Sequence, residues 1–463
     1  MPTQKHFTTR HLVHAALMIA ALCSCLCTRS VAQTESSIIS FNGDVDGATP
    51  ATNLIADSAG NYYGTNFSGG SYTGQPCSFY GCGMVFEISP NTSGGWTETV
   101  LYVFTGGADG ANPAAGLVFD SQGNLYGTTS AGGLVTSGCG NSGCGTVFEI
   151  SPSSSGFWTE TTLYSFKGGN DGYYSEAPVT FDAAGDLYGT TALGGTGKSC
   201  AAGSGCGEVF KLTPNGTGGW IYSVVHFFTN GKDGGRPSSG VVVDGASNIF
   251  ASASQGGSTT NCGPGCGTLD EFLPSGAGYK LRVIHTFTGA QDGSYPIGGL
   301  LLDSSGNIYS PVQEGGHKTG VCHSAGGCGV VLQFTPNSSG GYTPSIAYAF
   351  TGGTDGYGPV SNLTVNPSGG LYGAAYGAPS GTDGNCFGPC GFIYKLTPSG
   401  TGTWSESVVY AFTGGADGGA PEWFNGVTVD SSGHIFGAAL EYGIAGGCSS
   451  FANGCGVVYE ITP

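Results

Sequence analysis

The residues best suited to chemistry in this sequence are fourteen cysteines that recur as seven closely spaced pairs. Three to six residues separate the two members of each pair, and each pair ends just before a strand-like apolar segment. Thiols at short spacing can hold zinc or form disulfides, but an even number at repeated positions in an exported chain favours disulfides. We predict the bonds Cys77–Cys82, Cys139–Cys144, Cys200–Cys206, Cys262–Cys266, Cys322–Cys328, Cys386–Cys390 and Cys448–Cys455.

A second group consists of aromatic and charged residues that differ between otherwise similar segments. In a chain built from repeated units, residues shared by every unit are expected to maintain the fold, whereas a binding site should use residues that differ. Aromatic rings with a few acids and one base suit stacking on a sugar or contacts with a peptide. The candidate ligand-binding residues are Tyr173, Tyr174, Glu176, Arg236, Tyr295, Tyr357, Glu422 and Trp423.

Other chemistry-bearing residues fit structural roles better. His226 and His285 stand where the other copies carry Tyr, which indicates packed strand residues. A repeated Asp-Gly pair is typical of a tight turn rather than a calcium loop. The sequence contains no Gly-x-Ser-x-Gly, His-Glu-x-x-His or phosphate-cradling motif. We therefore assign no catalytic residue and expect neither a metal nor a cofactor.

The elements that position these residues form a seven-fold internal repeat. Its marker is Asp-Gly, which recurs every 59 to 63 residues at Asp46, Asp109, Asp171, Asp233, Asp292, Asp355 and Asp417. A Pro follows four residues after the Asp in six copies. In the third copy the next Pro is Pro178, which predicts a three-residue insertion. A regular period of this length indicates a repeat architecture.

Each repeat contains four candidate strands. In the second copy they cover residues 116–120, 125–129, 146–150 and 158–166, separated by turns rich in Gly, Asn, Asp and Ser. Glycine makes up 89 of the 463 residues and only 9% are charged, and no stretch has a sustained helical period. The sequence therefore predicts an all-β fold, a seven-bladed β-propeller with four antiparallel strands per blade. A stack of sheets or a split into two domains is the alternative.

The two ends of the repeat region support a closed ring. Residues 37–41 resemble a fourth strand, whereas residues 456–461 near the end of the sequence resemble a third strand. We predict that the N-terminal strand completes the last blade, because this pairing leaves no open sheet edge at the seam.

The motifs resemble those of a known family. The Asp120–Thr129 hairpin, the Cys144–Ile150 segment and the Leu101–Gly110 segment are similar to the GloVer tandem repeat of exported bacterial proteins, and the resemblance extends over residues 37–463. It implies an extracellular repeat protein without a generally established activity. Varied C-terminal anchors occur in that family, and no such anchor is evident in this sequence.

The N-terminus predicts export. Residues 1–32 read as a signal peptide, with basic Lys5 and Arg10, an apolar run and a small-residue cleavage site. Residues 33–463 would then form one propeller domain. Lipoprotein anchoring at Cys25 is a minor alternative to a secreted, extracellular or cell-envelope protein, and no transmembrane segment is expected. The net charge of −18 disfavours nucleic-acid binding.

We interpret the protein as a monomeric, disulfide-stabilised, non-catalytic binding module. Its glycan or protein ligand would bind the face that carries the cysteine loops and the Asp-Gly connections. Two alternatives remain: a glycan-active hydrolase or lyase with Glu176 and Glu422 at the channel mouth, and a structural cell-envelope component. The aromatic candidates have a plainer interpretation too, as a plug in the channel mouth.

Overall fold

The computed structural model describes residues 33–463 apart from 44, 52, 71–76, 78–80, 155, 198–199, 201–203, 319, 324–325, 367, 378, 380–385, 387–388, 401, 422–425 and 444–453. The strands form seven antiparallel sheets around a common axis, so the predicted seven-bladed β-propeller is confirmed. The predicted signal peptide and Cys25 lie outside the described residues. Within the described part of the chain, no helix is long and apolar enough to cross a membrane.

In each of the first four blades, the strands follow one another along the sequence from the channel to the outer edge. Blade 1 contains Ala48–Pro50, Ile55–Ala56, Tyr62–Ser68, Met84–Pro90 and Trp96–Val103. Blade 2 contains Val118–Phe119, Leu125–Thr129, Thr146–Pro152 and Trp158–Ser165. Blade 3 contains Thr180–Phe181, Leu187–Thr191, Glu208–Pro214 and Trp220–Phe227, and Gly172–Tyr173 pairs with Leu193–Gly194 beside it. Blade 4 contains Val242–Val243, Ile249–Ala253, Gly265–Ser275 and Gly278–Thr286, with Gly256–Gly257 alongside.

The remaining blades repeat this order. Blade 5 contains Leu301–Leu302, Ile308–Val312, Val330–Pro336 and Tyr342–Ala349. Blade 6 contains Tyr357–Pro359, Thr364–Val365, Leu371–Gly377, Phe392–Pro398 and Trp404–Ala411. Blade 7 contains Val427–Val429, Ile435–Ala439, Val457–Thr462 and, as its outermost strand, Thr34–Ser40. Among the described residues, the 3₁₀ turns Gly140–Ser142 and Gly320–His323 lie in cysteine loops.

The first hairpin of six blades is held by an aspartate, and that of blade 6 by Asn366. The Asp120 Oδ1 atom accepts the backbone N–H groups of Gln122 and Asn124 at 2.8 and 2.9 Å. Its Oδ2 atom accepts the Tyr126 hydroxyl at 3.1 Å. Asp57, Asp182 and Asp303 form the same set of bonds. This side-chain bonding is what favours Asp at the start of such turns.

The hydrophobic core lies between neighbouring blades. One cluster joins Tyr63 and Phe104 of blade 1 to Leu125 and Phe148 of blade 2. The rings of Phe104 and Phe148 pack edge to face with centroids 5.1 Å apart. Six further clusters of this kind bridge the other sheets. Each sheet therefore depends on its neighbours to cover its apolar faces.

Closure of the ring follows the prediction. Thr34–Ser40 pairs antiparallel with Val457–Thr462, with Thr34 opposite Thr462 and Ser40 opposite Val457. The next residue, Phe41, is 1% exposed and packs against Phe86 of blade 1. The N-terminal segment thus completes blade 7 and also contributes to the core between blades 7 and 1.

The Asp-Gly aspartates tie each outer strand to the next blade. Asp109 accepts the Tyr102 hydroxyl at 3.1 Å and the backbone N–H and hydroxyl of Thr105, each at 2.7 Å. In blades 3 and 4 the Tyr is replaced by His226 and His285, whose Nε2 atoms lie 3.0 Å from Asp233 and Asp292. The predictions of a turn-forming Asp and of packed histidines are confirmed.

Several seams between blades hold a second, at least partly buried carboxyl group near the Asp-Gly aspartate. Burial, and then Asp46, raises the pKa of Glu98 to about 8. Burial chiefly, and to a smaller extent Asp109 and Asp355, raises the pKa values of Glu160 and Glu406 to about 7. One oxygen each of Glu98, Glu406 and Asp270 is buried without a hydrogen-bond partner among the described residues. The folded protein therefore favours the protonated form of these groups.

The N-terminal contribution to the core predicts a strong, localised effect of one substitution. Phe41→Ala should lower the free energy of unfolding by about 3 kcal/mol, because it empties a fully enclosed site at the ring seam. Phe157→Ala, at a ring that is 75% exposed, should change it by less than about 0.5 kcal/mol. Chemical denaturation of both variants checks this, and equal effects would contradict the seam described here.

The seam carboxyls predict that stability falls as the pH rises. The pKa values of these groups in the folded protein lie above their unfolded value of 4.5. Their contribution to the free energy of unfolding is therefore complete below pH 4.5 and is lost as the pH rises past 7 to 8. The melting temperature should fall between pH 5 and pH 9, and Glu160→Gln should recover roughly 1–2 kcal/mol at pH 9. Glu149→Gln, on the same blade but away from the Asp-Gly turns, is the control. A melting temperature that rises over this range would refute the interpretation.

Candidate functional site at the channel mouth

Seven equivalent residues, one in each connection between blades, surround the mouth of the channel. Each lies three positions after the Asp of the Asp-Gly pair and has a positive φ, between 54° and 69°. The backbone N–H of each donates to the carbonyl of the second cysteine of the preceding blade, as in Arg236 to Cys206 at 2.7 Å and Tyr295 to Cys266 at 3.1 Å. We call this set the mouth ring: Thr49, Asn112, Tyr174, Arg236, Tyr295, Gly358 and Ala420.

The mouth ring is conformationally demanding. A positive φ is easily adopted by Gly358 and tolerated by Asn112, but it is a steric outlier for bulky side chains such as Tyr174, Arg236 and Tyr295. Such conformations persist only where the surrounding structure enforces them, and they often occur at functional sites. Here the enforcing contact is the bond to the cysteine carbonyl.

The disulfides lie beside the mouth ring. Six of the seven predicted pairs are joined, with Cα–Cα distances of 4.9 to 5.3 Å. Cys448, in the seventh pair, lies outside the described residues. A methyl group added at Gly168 would collide with Cys139 Sγ, which places the cysteine loop directly against the connection that follows it. The cysteine loops and the connections therefore share one face, as predicted.

A cavity of about 190 Å³ opens on this face at the side formed by blades 3 to 6. Two of its lining residues belong to the mouth ring, and four others lie two positions after a mouth-ring residue on the same connections. The lining consists of Glu176, Arg236, Ser238, Ser254, Gln255, Tyr295, Ile297, Gln313 and Val360.

The backbone around this cavity is tightly bonded. The Ser254 backbone N–H and hydroxyl both donate to the Arg236 carbonyl, at 3.2 and 2.9 Å. The Gln313 N–H donates to the Tyr295 carbonyl at 3.1 Å. Since Ser254 and Gln313 directly follow second strands of their blades, the rigid sheets hold the lining residues in position.

The electrostatics of the cavity centre on Glu176. Burial raises its pKa to about 7, although the neighbouring Tyr174 hydroxyl and the positive charge of Arg236 act in the opposite direction. Burial, reinforced by Glu176, raises the pKa of Tyr174 to about 12. The cavity therefore presents one carboxyl group that titrates near neutrality beside one permanent positive charge.

The eight predicted ligand-binding residues divide into three groups. Glu176, Arg236 and Tyr295 line the cavity, and Tyr174 stands beside Glu176 and Arg236. Tyr173 packs against the core between blades 2 and 3. Tyr357 packs against Tyr376 and covers Gly377. The last two, Glu422 and Trp423, lie outside the described residues.

The predicted insertion in the third repeat is wrong. Asp171 and Asp182 are eleven residues apart, as are Asp109 and Asp120 in the second repeat. Thr180 pairs with Tyr188 just as Val118 pairs with Tyr126. Ser175 simply occupies the position of the usual Pro, so Tyr174 and Glu176 are ordinary members of the repeated connection. Pro178 had suggested a shift that does not occur.

Sequence reasoning missed the mouth ring and the neutral lining residues. The constant spacing of three residues after the Asp-Gly aspartate is a signal that comparison of the seven copies provides. No pattern in the sequence marked Gln255 or Gln313, because they become neighbours only when blades 4 and 5 pack against each other. Among the described residues, no group of three His, Cys, Asp or Glu side chains is arranged to hold a metal ion.

Comparison with known proteins places the sequence in one family. The family described as the Gloeobacter/Verrucomicrobia repeat matches residues 28–202 and 199–445. No curated protein sequence matches significantly.

Three solved structures are similar in part. A putative gluconolactonase shares 14% identity with a TM-score of 0.38, covering 74% of this chain and 89% of its own. A luciferin-regenerating enzyme shares 14% with a TM-score of 0.40, covering 75% and 91%. A protein of unknown function from Dyadobacter fermentans shares 11% with a TM-score of 0.44, covering 93% and 98%. Likenesses this distant say nothing about function.

The surroundings of Glu176 predict its titration. Its pKa should be near 7 in the intact protein and should rise in Arg236→Asn and in Tyr174→Phe, because each substitution removes a group that stabilises the carboxylate. Carbonyl chemical shifts of labelled glutamate, followed from pH 4 to pH 9, measure this. A Glu176 pKa near 4.5 that stays the same in both variants would show that this carboxyl group is solvated.

Proposed function

The chain belongs to the Gloeobacter/Verrucomicrobia repeat family, and we propose that it is a secreted, non-catalytic binding module that holds one sugar unit of a glycan at its channel mouth. The observation that carries this proposal is the cavity itself. It forms where the variable mouth ring supplies Arg236 and Tyr295, beside Glu176 on the neighbouring connection. Positions that vary on a rigid scaffold are typical of binding sites.

The lining suits a sugar better than other small ligands. Gln255, Gln313 and Ser238 offer neutral donors and acceptors for hydroxyl groups, while Tyr295 and Ile297 provide an aromatic and an aliphatic surface. The volume of about 190 Å³ lies below the roughly 300–1,000 Å³ typical of drug-sized ligands. One sugar residue at the end of a chain, or one that projects from it, fits this size.

A protein ligand is less well supported. Stable protein interfaces cover about 800 Å² on each partner with extended complementary surfaces, whereas the distinctive feature of this face is a small concave cavity. Export is supported by the predicted signal peptide and by the six disulfides, since such bonds persist in oxidising compartments.

A second candidate function is glycan cleavage, favoured by the pKa of about 7 at Glu176. A carboxyl group poised near neutrality suits a general acid. Glycoside hydrolysis ordinarily needs a second carboxyl group about 5 to 10 Å away. Glu176 is the one carboxyl group that the described lining contains, and Glu422, the predicted partner, lies outside the described residues.

Glycan binding by the chain 33–463 is the direct test. A glycan array should identify a ligand, and Tyr295→Ala should weaken its binding at least tenfold because the substitution removes an aromatic wall of the cavity. Phe157→Ala, an exposed aromatic residue on the opposite face, should leave binding unchanged.

The same ligands distinguish the second candidate. If the unmodified protein releases sugar from a bound glycan and the Glu176→Gln variant does not, the enzymatic proposal replaces the binding proposal. Binding that survives Tyr295→Ala would show that the cavity is not the site.

A further inference from the structure

One residue of the mouth ring carries a charge. The seven ring positions hold Thr, Asn, Tyr, Arg, Tyr, Gly and Ala, so a positive group occurs at Arg236 alone. Its backbone adopts a φ of 55°, which Asn112 or Gly358 adopts at smaller cost. A long cationic side chain is thus kept at a position where the fold favours a smaller residue.

The salt bridges among the described residues use cations other than Arg236. Acidic residues outnumber basic ones by 30 to 12. Other cations pair with some of these acids, as Lys211 does with Asp186 and Arg282 with Glu271. Among the described residues, the Arg236 guanidinium makes no ion pair. It is exposed at the rim of the cavity.

The acid nearest to it in the cavity is a poor counterion. Glu176 is largely enclosed, and burial favours its protonated form up to about pH 7. Tyr174 and Arg236 are the groups that act on it. In mildly acidic surroundings the cavity therefore offers a guanidinium group that still lacks an anionic partner.

We propose that the sugar bound in this cavity is acidic, a hexuronic acid whose carboxylate is held by Arg236. This inference rests on the proposed function and names its ligand class. The planar guanidinium matches a carboxylate with two parallel hydrogen bonds. The ring hydroxyls of the sugar then face the neutral side chains of Ser238, Gln255 and Gln313.

The alternative carboxylate is the C-terminus of a peptide. A single carboxylate on an otherwise apolar or amide-bearing chain would leave the hydroxyl and amide lining of the cavity partly unsatisfied. A sugar acid carries both the anion and several hydroxyl groups, so it uses the whole lining.

The test compares matched ligands by titration calorimetry at pH 6 and low salt. The ligands are galacturonate and glucuronate oligosaccharides, the same oligosaccharides with their carboxylates reduced to alcohols, and a short peptide with a free C-terminus. The variants are Arg236→Asn, which keeps a residue suited to positive φ, and Arg236→Lys. Lys232→Asn, an exposed cation four residues earlier, controls for the change in net charge.

We expect an acidic oligosaccharide to bind at least tenfold more tightly than its reduced form. Arg236→Asn should abolish that preference, Arg236→Lys should retain part of it, and Lys232→Asn should retain it fully. Salt should weaken the binding of the acidic sugar more than that of the neutral one.

Equal binding of acidic and reduced sugars would overturn this inference but leave the proposed function intact. Preference for the peptide over both sugars, or binding of no ligand, would overturn the two together. A preference that persists in Arg236→Asn would show that another group recognises the carboxylate. Circular dichroism of each variant confirms that loss of binding is not loss of fold.

Discussion

The constraint on which this structure depends is that no blade can cover its own apolar faces. Each sheet is thin and rich in small residues, and large side chains such as Phe104 and Phe148 pack against the neighbouring sheet. An open row of such sheets would leave two uncovered faces at its ends. The pairing of Thr34–Ser40 with Val457–Thr462, together with Phe41, removes both by closing the ring.

Bonds between blades give this packing a fixed geometry at the mouth. Thr65, Thr190 and Ser252, on the second strands of three blades, donate to carbonyls of the connection that enters the next blade. The cysteine carbonyls accept the mouth-ring N–H groups in every repeat. The backbone of the mouth is therefore determined by the scaffold, and the side chains of the ring are left to vary. This division of roles explains how Arg236 and Tyr295 can replace smaller residues without a change in the fold.

The fold was predictable because its evidence is repeated seven times. The Asp-Gly spacing, the alternation of the strands and the strand-like residues 37–41 all agree with the observed blades, and the paired cysteines agree with six disulfides. The site was only partly predictable. Comparing copies identified Glu176, Arg236 and Tyr295, but it could not tell that Tyr173 turns into the core while Tyr174 stays at the mouth. Tyr173 ends a short strand whereas Tyr174 has a positive φ, and this change of backbone conformation is set by contacts with the preceding blade.

The order in which the chain is made bears on how this ring assembles. The described disulfides join cysteines only four to six positions apart, so each can form as soon as its own loop emerges, with little risk of exchange between repeats. The strand pair that closes the ring differs from the disulfides, because Thr34–Ser40 is synthesised long before its partner Val457–Thr462. Contacts this distant in sequence form slowly. During biogenesis the growing protein therefore carries an unpaired β-edge until the final repeat arrives, and we expect it to be most open to aggregation and to chaperone capture before the ring closes.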